Sequence, residues 1–257
     1  MKQNIFTYLI GTAGSGKSTL TSICKRWMDH QGIDSVIVNL DPGAENLPYD
    51  PDIDIRDWIS LSEIMDTHQL GPNGAQIACA DMLALNTTDI KESLDQFKSD
   101  YVFVDTPGQL ELFVFRESGK YIIDSLQPNR SVVAYLIDQN LAKNPHFFVS
   151  QLLLSLTTNF RLGVPQINLL SKSDLLDSSE IEQLVSWARD PDGLEFALSN
   201  QKPSIYREMN EEIIRLVAHF QNYGPLIPTG KEDYLGVDDL YTMVQLLFQG
   251  GDDVRPD

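Results

Sequence analysis

The sequence predicts an α/β fold: a doubly wound, mostly parallel sheet with helical insertions. Three observations lead there. Short apolar, β-branched runs recur along the chain, each followed by a stretch of helical character. These runs are nearly continuously apolar rather than alternating, the pattern of parallel strands covered on both faces. The first run leads directly into Gly11-Thr12-Ala13-Gly14-Ser15-Gly16-Lys17-Ser18, which fits G-x-x-x-x-G-K-[ST] in full between a strand and a helix.

Taken in order, Ile5–Ile10 reads as the first strand, Lys17–Gln31 as a helix and Ser35–Leu40 as the second strand. An insertion from Asp41 to Ser99 follows. It begins with a Pro/Asp-rich loop, Asp41–Asp57, then a short helix near Leu61–His68. The sequence Gly71-Pro72-Asn73-Gly74 reads as a turn, because Pro and Gly punctuate helices, and further helices are expected at Ala75–Leu85 and Thr88–Lys98. Tyr101–Asp105, Val132–Asp138, Gln166–Leu170 and Pro225–Pro228 complete the strands. Pro145–Arg161, Ser178–Arg189, Ser204–Tyr223 and Val237–Gln249 read as helices, Ser178 and Ser179 with Glu180 and Glu182 giving one of them an acidic, capped start. The expected organisation is a single domain over residues 1–249 with insertions at about 41–99 and 177–223. Residues 250–257 form a polar tail.

Composition narrows the partners. The chain has 257 residues and 19 Lys+Arg against 37 Asp+Glu, a net charge of −18. A broad nucleic-acid face needs clustered basic residues, and the longest basic run is Lys25-Arg26. An anionic membrane surface is disfavoured for the same reason, and no apolar run approaches the ~18 residues of a membrane span. The Ile5–Ile10 run is too short for a signal peptide. Cys24 and Cys79 form no CxxC, and read as reduced, buried thiols of a cytoplasmic protein. The four histidines are scattered. A small anion remains a possible ligand, since backbone N–H groups and one Lys bind phosphate whatever the net charge.

The chemistry-bearing motifs agree with that ligand. In the P-loop, glycines let the backbone curl so that the N–H groups of Thr12, Ala13, Gly14, Ser15 and Gly16 face phosphate oxygens. Lys17 is placed to reach the β- and γ-phosphates, Ser18 to bind Mg²⁺ and Thr19 to lie near the α-phosphate. Asp105-Thr106-Pro107-Gly108-Gln109 closes the strand that begins at Tyr101. A carboxylate at that tip holds Mg²⁺, the Gly108 N–H donates to a γ-phosphate, and Gln109 stands where Ras-like switches orient water. Ser171-Lys172-Ser173-Asp174 resembles the [N/T]KxD guanine-recognition motif of GTPases, with Ser171 in place of the usual residue. There the Asp accepts from guanine N1–H and N2–H₂. Adenine lacks that donor pair and would leave the carboxylate desolvated and unpaired. Pro228 and Thr229, after the last strand, complete the base pocket through backbone groups.

The set Gly14–Thr19, Asp41-Pro42, Gly71-Pro72-Asn73, Asp105–Gln109 and Lys172–Asp174 resembles the GPN-loop GTPases in order and spacing over nearly the whole chain. That resemblance implies a Mg²⁺-dependent GTPase that cycles between GTP and GDP. It also implies a homodimer in which Gly71-Pro72-Asn73 of one subunit reaches the γ-phosphate site of the other. Related dimeric enzymes carry a signature Lys at the second loop position, which is Thr12 here, and Arg56 and Arg116 read as salt-bridge residues rather than arginine fingers. Asn73 is then the candidate trans donor. Asp41, followed by Pro42 as in the related Asp-Pro switch, contacts the Mg²⁺ shell or the attacking water. Asp41 and Gln109 compete for the water-positioning role, with Glu111 third. Three alternatives remain: a dimeric P-loop ATPase, a small-molecule kinase of the same fold, which would want an Arg-rich lid, and a scaffold with a structural nucleotide.

Overall fold

The apolar runs become strands of a single sheet. The computed structural model describes residues 4–199, 213 and 225–249. Within them β1 (Ile5–Gly11), β2 (Ser35–Asn39), β3 (Ile53–Asp54), β4 (Tyr101–Asp105), β5 (Ser131–Asp138), β6 (Gln166–Ser171) and β7 (Ile227–Pro228) pair in the order β3-β2-β4-β1-β5-β6-β7. Every pairing is parallel. Alternate strand residues point to opposite faces, so β1 sends Phe6, Tyr8 and Ile10 into one core and Ile5 and Leu9 into the other. The second core is closed by Leu20, Ile23 and Trp27 of α1 (Lys17–His30) together with Leu240 and Val244. The predicted doubly wound α/β class is therefore the observed one.

The inserted region departs from its expected outline chiefly at two points. β3 lies inside the stretch read as loop, paired through Val38–Ile53 and Asn39–Asp54; two residues are too short to carry a periodicity. α2 (Leu61–His68) has the predicted bounds, capped by the Ser60 hydroxyl on Glu63 N–H. The expected turn at Gly71–Gly74 is instead the first turn of α3 (Pro72–Met82), with Gly71 as N-cap and Pro72 at the first helical position. Proline's fixed φ and missing N–H suit that position, so the breaker signal marked a helix start. α4 spans Thr87–Leu94.

Beyond β4 the chain forms α5 (Leu110–Phe113), α6 (Glu117–Leu126), α7 (Gln139–Ala142) and α8 (Pro145–Leu162). The sequence did not announce α6, whose interior Gly119 reads as a breaker. The glycine is needed there, because a Cβ would lie within van der Waals overlap of the Phe113 carbonyl, 2.1 Å away. α9 (Ser178–Arg189) is capped by Asp177, one residue before the predicted serines, in a full capping box with Glu180. α10 (Pro191–Ser199) and α11 (Val237–Gln249) follow. The Ser204–Tyr223 helix and the 250–257 tail fall outside the described residues, apart from residue 213. Among the described residues no helix is long and apolar enough to cross a membrane.

Because the strands are parallel, their carboxyl ends share one rim. Ligands of open α/β sheets bind there. The rim holds the P-loop after β1, Asp41 just beyond β2, Asp105 at the end of β4, Ser171 at the end of β6 and Thr229 after β7.

Candidate active site

The P-loop backbone has the curl its glycines permit. Gly14 and Gly16 are left-handed, at φ +74° and +98°, a region that side chains with a Cβ rarely occupy. Gly16 caps α1 without any side-chain bond to the helix, and the Leu20 N–H bonds the Gly16 carbonyl at 2.9 Å. The first N–H groups of a helix left in this way form an anion site. Lys17 is only 5% exposed. Its Nζ donates to the carbonyls of Gly11 (3.0 Å), Thr12 (3.2 Å) and Gly108 (3.1 Å), joining the P-loop to the β4 tip. Burial lowers the Lys17 pKa, while Asp105 and Asp41 oppose that. Ser18 is half-buried, and Thr19 and Ala13 are exposed.

Asp105 is 1% exposed. Its Oδ2 accepts from the Tyr49 hydroxyl at 2.6 Å, whereas Oδ1 is buried with no hydrogen-bond partner. Burial raises the carboxyl pKa, against the stabilising influence of the Ser18 and Tyr49 hydroxyls and of Lys17. A buried carboxylate oxygen left unpaired is a costly arrangement, and with a serine hydroxyl at the same carboxylate it suits a hard cation with oxygen ligands. The donor set therefore fits Mg²⁺, with Ser18 and Asp105 as the holding groups. Burial also pushes the Tyr49 phenol well above its ordinary range, so it remains a donor.

Asp41 links the two switch-like segments. Its Oδ1 accepts from Gly43 N–H (2.9 Å) and its Oδ2 from Gly108 N–H (3.0 Å). Burial raises its pKa, and those two bonds and Lys17 pull it down. Asn39 steadies the turn, its amide donating to the Asp41 carbonyl and to Asp54 while its own oxygen accepts from Asp41 N–H. Arg56 grips both oxygens of Asp54 and donates to the Ala44 carbonyl at 2.8 Å. Arg116 is paired with Asp81. Both arginines are thus engaged in the ion pairs their sequence context suggested. Gln109 donates through Nε2 to the Gln76 side-chain oxygen at 2.9 Å. Gln76 lies one turn into α3, beyond Gly71, Pro72 and Asn73, all three of which are exposed. Glu111 is exposed on α5.

A cavity of about 220 Å³ joins the P-loop to the base motif, bordered by Ser15, Gly16, Thr19, Ser171, Lys172, Asp174, Thr229 and Gly230. Lys172 is left-handed at φ +57°, and its Nζ is held by Asp138 Oδ2 at 2.8 Å. That pair lays the Lys172 stem over Gly16, where a Cβ would touch Lys172 Cε at 3.8 Å. Ser171 turns away to donate to the Ile137 carbonyl (3.1 Å) and so ties β6 to β5. Thr229 is pinned to Leu170 through its N–H and to Ser173 through its carbonyl. Pro228, within β7, pairs with Leu170 and does not border the cavity.

Sequence reading missed four of these residues. Tyr49 and Gln76 have partners 56 and 33 positions away, and no local pattern reports such a pairing. Asp54, the partner of Arg56, lies in the Pro/Asp-rich loop with no local pattern to mark it. Asp138 carried a usable signal, being a carboxylate at the end of a predicted strand.

Comparison with known proteins places these features among relatives. Residues 9–250 match a family described as a conserved hypothetical ATP binding protein. GPN-loop GTPase 3 of Mycosarcoma maydis is 31% identical over 260 residues, covering 96% of this chain and 92% of that protein. The Schizosaccharomyces pombe GPN-loop GTPase 3 is 31% identical over 240 residues, covering 89% and 86%. GPN-loop GTPase 1 of Dictyostelium discoideum is 28% identical over 251 residues, 96% of this chain but 62% of that protein, so the chain spans less than two thirds of its length. The crystal structure of a GTPase in apo form from Pyrococcus abyssi has a TM-score of 0.83 and 31% identity, covering 93% of this chain and 96% of that one.

Proposed function

The chain belongs to the GPN-loop GTPase family, and from that premise we propose that it binds GTP with Mg²⁺ and hydrolyses it to GDP and phosphate. It does so as a cytoplasmic homodimer, with residues 1–249 as one domain and the exposed Gly71-Pro72-Asn73 start of α3 completing the partner subunit's site. The observation that carries the nucleotide reading is the cavity shared by the P-loop, Lys172 and Asp174.

In this reading Asp174 accepts from guanine N1–H and N2–H₂, and the Lys172 stem, steadied by Asp138, packs on the base. Backbone N–H groups of Thr12–Thr19 and the Lys17 ammonium hold the phosphates. Ser18 and Asp105 would hold Mg²⁺, which would supply positive charge against the phosphates. Asp41 and Gln109 both stand at the Gly108 segment and orient the attacking water. Of the two only Asp41 carries a carboxylate that can accept a proton; the Gln109 amide can only orient the water. Asn73 acts in trans as an amide donor to phosphate oxygens.

A second reading, ATP in place of GTP, draws on the description of the matching family. It leaves Asp174 facing a base without the donor pair. A kinase role would want arginines at the phosphates, and the two nearest the motif loops, Arg56 and Arg116, are already paired. The deciding experiment is phosphate release without an added acceptor, with GTP or ATP, in wild type and Asn73→Ala. Release with GTP, little with ATP, and a fall of roughly 10²–10³ in kcat for Asn73→Ala at unchanged nucleotide affinity are expected. Equal use of ATP would overturn the base assignment, and unchanged kcat the trans role.

A further inference from the structure

Resting on the Mg²⁺-nucleotide reading of Asp105, we propose that Tyr49 is a positioning residue for the metal site. It pins one oxygen of the Asp105 carboxylate and leaves the other buried and unpartnered. The contact is built from both ends. On the receiving side, the Tyr49 O–H···Oδ2 distance of 2.6 Å is in the range of charge-assisted O–H···O⁻ bonds, and Oδ1 is buried and unpartnered. A carboxylate on a single Cβ–Cγ bond rotates freely unless one oxygen is held. Holding Oδ2 fixes the direction in which Oδ1 points. Partners of this kind orient ligands and are worth about 10- to 100-fold in metal affinity.

On the giving side, the tyrosine is braced by bonds that do not involve its hydroxyl. The Ser22 hydroxyl of α1 donates to the Pro48 carbonyl at 3.0 Å, immediately before Tyr49. Three residues on, the Asp52 carboxylate accepts from Ile37 N–H at 2.8 Å, and the Asp52 N–H donates to the Ile37 carbonyl at 3.0 Å. The ring is therefore delivered to Asp105 by α1 and β2, and Tyr49→Phe removes the hydroxyl while leaving the backbone ties in place.

The test is release of the fluorescent nucleotide mant-GDP from the full chain across a Mg²⁺ titration and in EDTA. For Tyr49→Phe, the Mg²⁺ concentration giving half-maximal retention should rise about 10- to 100-fold, with release in EDTA unchanged. In an Asp105→Asn background the same substitution should add almost nothing, because Tyr49 acts through that carboxylate. An unchanged Mg²⁺ midpoint, an equal loss of retention in EDTA, or a full additional effect in the Asp105→Asn background would each overturn the proposal. A wild type insensitive to Mg²⁺ would overturn it together with the metal reading. A shifted midpoint in a protein that releases no phosphate from GTP would support Tyr49 and remove only the hydrolytic reading.

Discussion

Gly230→Ala tests the guanine assignment without touching a group that binds the base. A Cβ at Gly230 would lie 2.6 Å from Asp174 Oδ1, 2.9 Å from Asp174 Cβ and 3.0 Å from Asp174 Cγ. Three successive atoms of one side chain are struck, so rotating the carboxylate alone gives no relief. The backbone has little room to yield, because Thr229 is bonded to Leu170 and Ser173, and Gly230 N–H to Leu235 O at 3.2 Å. Gly230 is not in the left-handed region, so alanine brings no backbone strain and the fold is retained. Asp174 must swing away and lose at least one hydrogen bond to guanine. A hydrogen bond to a charged group contributes about 1.5–3 kcal/mol, so GTP should bind roughly 10- to 100-fold more weakly. ATP, which does not engage Asp174, should bind as before, and the preference for GTP should fall by the same factor. The assay is displacement of mant-GDP by unlabelled GTP and by ATP, with the thermal midpoint measured alongside. A folded variant with unchanged GTP affinity would refute the argument that Asp174 reads the base.

Other substitutions probe the metal and water sites. Gln76→Leu removes the partner of Gln109 and should lower single-turnover hydrolysis about fivefold, one side-chain hydrogen bond contributing ~1 kcal/mol, while mant-GDP affinity is unchanged. Asp105→Asn should raise the stability of the protein measured without Mg²⁺ by about 1–3 kcal/mol near neutral pH, since it removes a buried charge with an unpaired oxygen. The sign of its pH dependence follows from the raised Asp105 pKa. The wild type bears the cost of the buried charge above its folded pKa. That cost disappears on protonation, so the advantage of the variant should vanish as pH falls toward the ordinary carboxylate value. Asp54 behaves oppositely: its pKa is lowered despite burial by Arg56 and Asn39, so the destabilisation by Asp54→Asn should be full above the ordinary carboxylate range and shrink as pH falls below it, in urea unfolding followed from about pH 2 to 7.

What the sequence made legible is what lies contiguous in it. The P-loop, Asp105–Gln109 and Ser171–Asp174 each sit in one loop after one strand, so their spacing alone located them and the parallel sheet brought them to one rim. Long apolar strands such as β5 were legible because every residue is buried. The two-residue β3 was not, since its place depends on the pairing of Val38 and Asn39 with a distant stretch. The Gly71–Gly74 stretch was misread for a different reason. Pro after Gly marks both turns and helix starts, and only the packing of the following residues Ala75, Cys79 and Ala80 decides between them.

The loop between β2 and β3 shows what such pairings add to the motifs. Its Asp41 holds Gly108 N–H, and its Tyr49 holds Asp105, so one loop contacts both ends of the Asp105–Gly108 segment. Lys17 closes the same circuit from the P-loop by bonding the Gly108 carbonyl. Gly108 is therefore bonded through its N–H to the loop and through its carbonyl to the P-loop lysine. The P-loop, the β2–β3 loop and the β4 tip are thus joined through the pair of bonds at Gly108, so a ligand that drew Lys17 or the Gly108 N–H to itself would loosen a tie that no single motif contains.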